Sequence, residues 1–191
     1  MFRRGFKSWA EQTSERIRLK SKLPSTAPLN PMKLADQLSV SVLSPAELPT
    51  LDPNVLRRLL NDHSESWSAV TVSQGRSHLI IVNSSHAPTR LNSSLAHELA
   101  HIILGHEPAM MFMTPASGAS LRTYNEEQEE EANWLAGALL LPRDALLSIR
   151  HRGLSDEQAA TEYGVSPAML RYRFNVTGVD VQLHRGRRYR R

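Results

Sequence analysis

The sequence predicts an α+β domain in which helices pack on a small three-stranded sheet, with a helix-turn-helix-like pair behind it. Three observations predict this. Alternating apolar stretches are confined to residues 39–83, a helical apolar pattern follows at once, and from residue 125 onward each segment reads as helix.

Residues 8–21 form a polar amphipathic pattern, stopped by Pro24 and a Ser/Thr/Pro stretch running to Pro31. Pro31 then stands at the first position of a short helix through Leu38, and Ser39-Val40-Ser41-Val42-Leu43 alternates as a strand does. Asp52-Pro53 opens another short helix through Leu60. Residues Trp67–Val72 and His78–Asn83 flank Ser73-Gln74-Gly75-Arg76, a hairpin signal. His78 and His86 have no metal-ligand spacing and read as structural or exposed.

The next helix carries chemistry. Leu95, Leu99, Ile102 and Ile103 make one buried stripe, with cap candidates at Leu91 and Asn92-Ser93-Ser94 and a stop at Gly105. Within it lies His97-Glu98-Leu99-Ala100-His101. Two histidines one turn apart project from the same side, where their imidazoles can hold two of the four positions around Zn²⁺. Glu98 sits beside them as the base that takes a proton from activated water. With 8 His in 191 residues, shuffling would produce roughly 0.02 copies of this motif. The competing reading is a core helix with two hydrogen-bonded histidines, so a third ligand decides.

That ligand is sought in the helix from Asn125 to Pro142, which opens with acids as the helix dipole favours. A solvated acidic first turn explains most of its glutamates. It does not explain the face Glu129, Asn133, Ala136, Leu140, where polar residues run into the buried stripe. A carboxylate entering an interior is costly unless paired or metal-bound, which makes Glu129 the third ligand. Asn133, one turn on, can hydrogen-bond the outer nitrogen of a ligand histidine. Glu126 is the fallback, while Glu127, Glu130 and Glu131 are expected to point elsewhere. Two histidines and a carboxylate leave a fourth position for water, the catalytic form of a zinc site. His106 reads as a helix-terminal residue that caps the helix or backs a ligand. Residues 107–125 read as a lid or a disordered loop, with Met110, Met111, Phe112 and Met113 lining a groove or plugging the core.

Composition narrows the class. A chain of 191 residues fits one compact domain with small additions, divided here as 1–30, 31–150, 151–178 and 179–191. The absence of cysteine excludes thiolate zinc sites and thiol nucleophiles and is compatible with a reducing cytosol. No apolar run suits a signal peptide or a membrane span, so a cytoplasmic, soluble protein without membrane partners is expected. Residues 1–23 and 181–191 each carry +5, which leaves −6 for the body against a total of +4. Basic ends permit weak nucleic-acid contact, but a solvated helix and a frayed tail account for them better.

The run Leu95-Ala96-His97-Glu98-Leu99-Ala100-His101 with Leu104-Gly105-His106, then Glu129-x-x-Ala132-Asn133 and Leu139-Leu140-Leu141-Pro142, resembles the ImmA/IrrE family of zinc metallopeptidases. The Glu-x-x-x-Asn spacing is also similar to the Glu-x-x-x-Asp of thermolysin-like gluzincins. The resemblance covers roughly residues 31–175. It implies a minimal zincin fold and cleavage of a helix-turn-helix transcriptional repressor, which derepresses a mobile element or a stress response. Carried over position by position, His97, His101 and Glu129 would bind Zn²⁺, with Mn²⁺ the alternative ion, and Glu98 would be the general base. Some relatives carry a DNA-binding domain ahead of this core, where this chain has a basic helix.

In such a site Glu98 would pass its proton on to the leaving amine, and an exposed strand could hold an extended peptide by strand addition. Tyr124 and His106 are the candidate oxyanion donors by position in sequence. The rival function is a DNA- or repressor-binding module on the same scaffold. Ser155-Asp156-Glu157-Gln158 is a capping box, Gly164 ends that helix, and Ser166-Pro167 starts another through Phe174. Arg150, Arg152, Arg171 and Arg173 would supply the charge. Against base reading, the second helix begins with Pro167, Ala168 and Met169, which have little to offer a base edge.

Overall fold

Apolar residues recur along Phe6–Lys20 at helical spacing, and in the computed structural model this segment is helix α1, with Phe6 and Ala10 buried. The structure describes residues 2–106, 111–113, 120–122 and 125–188. Helix α2 (Pro31–Gln37) starts on Asn30, whose side chain accepts from the Met32 and Lys33 amides. Strand β1 (Val40–Leu43) follows, then the short helix α3 (Pro53–Arg57), which widens into a π-turn over Arg58–Asp62. Strands β2 (Ala69–Gln74) and β3 (Ser77–Val82) form the expected hairpin. Its tight turn needs Gly75 at φ +61°, a conformation that costs glycine little.

The sheet has the order β1-β3-β2, parallel between β1 and β3 and antiparallel between β2 and β3. Strand β2 is therefore an edge. Its alternation turns Thr71 and Ser73 inward and leaves Val70 and Val72 exposed. Helix α4 (Pro88–Leu104) crosses β2 and β3. It starts earlier than the Asn92-Ser93-Ser94 caps suggest, because Pro88 takes the first helical position; Gly105 closes it at φ +67°.

Part of the segment expected to be irregular is paired: β4 (Met111–Met113) runs antiparallel to β5 (Ser120–Arg122). The side chains of Met110, Met111, Phe112 and Met113, and Tyr124, lie outside the described residues. Helix α5 (Glu126–Leu140) is capped by Asn125 and is buried along most of its second half. It packs more extensively on α4 than on any other helix. Both bury alanines, Ala96 and Ala100 on one and Ala132 and Ala136 on the other, and small side chains permit close axial approach.

Helix α6 (Arg143–His151) leads to the helical pair α7 (Asp156–Tyr163) and α8 (Pro167–Thr177), joined at Gly164. Where a frayed tail is expected, residues Val179–Arg188 form helix α9. Among the described residues no helix is long and apolar enough to cross a membrane.

The basic N-terminal helix is not merely solvated. Ser14 donates to the Ala138 carbonyl at 2.8 Å, and Arg18, buried, donates to Ala27 O at 2.6 Å and Leu139 O at 2.8 Å. The bonds to Ala138 and Leu139 satisfy carbonyls that the end of α5 would otherwise orphan. Burial pulls the Arg18 guanidinium down to about 10. Glu11 joins three helices: one oxygen lies 2.5 Å from the Arg173 guanidinium and the other accepts the Arg143 amide at 3.0 Å.

Candidate metal centre

Helix α4 presents His97 and His101 on one face because residues four apart sit one above the other. Their Nε2 atoms lie 3.0 Å apart. From α5, Glu129 brings Oε2 to 3.2 Å from His97 Nε2 and Oε1 to 3.7 Å from His101 Nε2. The three side chains are about a fifth to a quarter exposed, as a solvent-reachable site requires. One atom from each lies within 4.8 Å of the others, so His97, His101 and Glu129 could hold a metal ion.

The donor set fits one. Around Zn²⁺ with bonds of about 2.1 Å, tetrahedral ligand atoms stand about 3.4 Å apart; the two ring nitrogens are 3.0 Å apart and each has one Glu129 oxygen, not the same one, at 3.2 or 3.7 Å. Asn133 Oδ1 lies 3.0 Å from His97 Nδ1, so that nitrogen carries the proton and Nε2 is left with a bare lone pair. A bare nitrogen facing a second ring nitrogen and a carboxylate is the arrangement a cation resolves.

Glu98, between the histidines in sequence, turns to the sheet, where the Thr71 hydroxyl of β2 donates to its Oε2. Sequence reasoning missed Thr71, although the inward phase of the β2 alternation could have pointed to it. Glu126 stands outside the cluster. Glu131, expected to point away from the ligand position, stands outside the cluster and reaches His106, at 3.3 Å from Nε2, while the other nitrogen of His106 lies 3.0 Å from His101 Nδ1. Helical phase within α5 could not reveal this, since its partner sits beyond the end of α4. The backbone of His106 also closes α4, its amide donating to His101 O at 3.1 Å.

His78 and His86 play structural parts: His78 pairs with Ser73 Oγ at 2.8 Å, and buried His86 reaches the Ser64 carbonyl at 2.9 Å. Beside Asn133 opens a cavity of about 680 Å³ lined by Thr89, Arg90 and Ser93 of α4 and by Met169 and Tyr172 of α8. The start of α8, which a DNA reader would present to a base edge, thus faces the metal domain.

The model of the IrrE N-terminal-like domain (Peptidase_M78) matches residues 49–175. The chain belongs to that family. The match takes in both helices of the centre and the α7–α8 pair. A Mycobacterium tuberculosis transcriptional regulator shares the fold at a TM-score of 0.51 and 15% identity, over 86% of this chain and 46% of that one. This chain therefore spans under half of that regulator. No curated protein matches the chain significantly.

Proposed function

We propose that this family member is a zinc-dependent endopeptidase of the cytoplasm that cuts a helix-turn-helix transcriptional repressor and so derepresses a mobile element or a stress response. The observation that carries the reading is the convergence of His97, His101 and Glu129, with Glu98 adjoining. His97, His101 and Glu129 hold the ion, Zn²⁺ or in its place Mn²⁺. Bound there, the ion supplies Lewis acidity, which polarises the scissile carbonyl and acidifies water. Glu98 takes the proton of the attacking water and returns it to the leaving amine. Thr71 steadies Glu98, and β2, an edge of the three-stranded sheet among the described residues, suits an extended substrate.

The purified protein, given Zn²⁺ and the repressor encoded beside it, is expected to produce a discrete cut. Glu98→Gln should abolish the cut while retaining metal. A Glu98→Gln protein with undiminished biological output would sink the enzymatic reading.

A second reading, a DNA- or repressor-binding module with little activity, draws on the regulator that shares the fold. Its DNA arm is weakened by three of the four arginines it needs, while Arg171 is exposed. Arg173 is buried against Glu11, Arg150 pairs with Asp180 at 2.9 Å and Asp156 at 3.0 Å, and Arg152 pairs with Glu162 at 2.7 Å. Weak nucleic-acid contact through the basic ends would appear as salt-dependent binding without sequence preference.

A further inference from the structure

We infer that His106 and Glu131 are positioning residues for the metal centre: together they fix the tautomer and orientation of His101 by a chain of hydrogen bonds. The inference rests on metal binding at His97, His101 and Glu129, and does not require peptidase activity.

The donor inventory determines the chain from its far end. Glu131 Oε2 offers an acceptor, so the 3.3 Å contact of His106 Nε2 reads as donation from that nitrogen. An imidazole that donates through Nε2 can accept at Nδ1. His106 Nδ1 lies 3.0 Å from His101 Nδ1, so the shared proton belongs to His101, which donates it. His101 is left with a bare Nε2, the atom 3.0 Å from His97 Nε2 and nearest Glu129. Each step points the lone pair of His101 at the metal position.

Burial makes the chain matter. The His106 side chain is 7% exposed and that of Glu131 16%, so water replaces either partner poorly. Arg3, itself mostly exposed, approaches the outer oxygen of Glu131 at 3.5 Å. The two ligand histidines are thus backed differently: His97 by the amide of Asn133, His101 by an imidazole and a carboxylate in series. A carboxylate behind a ligand histidine orients the ring and makes it a stronger donor, and loss of such partners typically costs affinity rather than fold.

The test is Zn²⁺ affinity of the full chain, measured by competition with a chromophoric chelator, together with the visible absorption of the Co²⁺ form. His106→Ala should weaken binding about 10- to 100-fold and alter the Co²⁺ spectrum. His106→Gln should recover part of the loss, since its amide oxygen still accepts from His101. Glu131→Gln should lose less than His106→Ala, and His106→Gln should bind more tightly than His106→Ala even where both lower the metal-free midpoint in EDTA. Variants that bind Zn²⁺ as tightly as wild type would overturn the positioning role alone. So would an affinity loss that follows lost metal-free stability and is not recovered by His106→Gln. A wild-type chain that binds neither ion would overturn the metal centre itself.

Discussion

Asn133 Oδ1 accepts from His97 Nδ1 at 3.0 Å, across the crossing of α4 and α5. The bond ties the orientation of one histidine to the packing of the other helix. Asn133→Ala should therefore lower Zn²⁺ affinity about 10- to 100-fold, whereas Asn133→Asp, which keeps an acceptor, should hold it near wild type. Chelator competition on the two proteins separates these outcomes.

Thr71 is the sheet's contact with Glu98. A hydrogen bond to a charged group contributes about 1.5–3 kcal/mol, so on the endopeptidase reading Thr71→Val should lower kcat about tenfold or more. Metal content, read by atomic absorption, should not change. A drop in both would show that Thr71 supports the helix rather than the base.

Removing Arg173 should cost stability, not DNA affinity. The residue is fully buried, donates to Leu141 O at 3.1 Å and pairs with Glu11. Arg173→Ala should lower unfolding free energy by about 3 kcal/mol in urea, the lower end of the range for a broken buried pair because Glu11 keeps some solvent. Any salt-dependent DNA shift should be the same for folded wild type and variant.

Gly164 sits at φ +62°, and a Cβ there would lie 2.8 Å from Asn92 Nδ2, the atom that donates to the Gly164 carbonyl. Gly164→Ala meets both backbone strain and this clash. It should destabilise by about 1–2 kcal/mol from the left-handed backbone alone, measured by denaturant unfolding.

Acid should weaken the fold in a defined window. The Ser44 amide holds the Glu47 carboxyl below its ordinary 4.5, and hydrogen bonds from Arg90 and Arg152 do the same for Glu65 and Glu162. Because the folded values are the lower ones, this stability is present above pH 4.5 and is lost as pH falls through them. The Tm should fall across that range. Salt should shrink the Arg-paired shares, which are exposed, more than the Glu47 share.

Much of this was legible before any coordinates, because period and punctuation are local. The hairpin around Gly75, the capping box at Ser155 and the stop at Gly105 depend on residues a few positions apart. His97 and His101 are legible for the same reason. The face of Glu129 and Asn133 was legible because a polar pair ran into a buried stripe. What stayed hidden depends on partners far away in sequence. Arg173 looked available for DNA because nothing nearby announces Glu11, and Glu131 looked solvated because His106 lies on another element. The tail read as frayed from its charge; yet Val179 is buried, and Asp180 pairs with Arg150 of α6.

The contacts of α1 have a consequence for biosynthesis. Its bonds to Ala138 and Arg173 join residues separated by 124 and 162 positions. Loop closure over such spans is entropically slow, and during translation the first helix leaves the ribosome long before its partners do. The clamp at Glu11 closes only after α8 has been made, so the packing beneath α5 waits on a helix synthesised more than a hundred residues later.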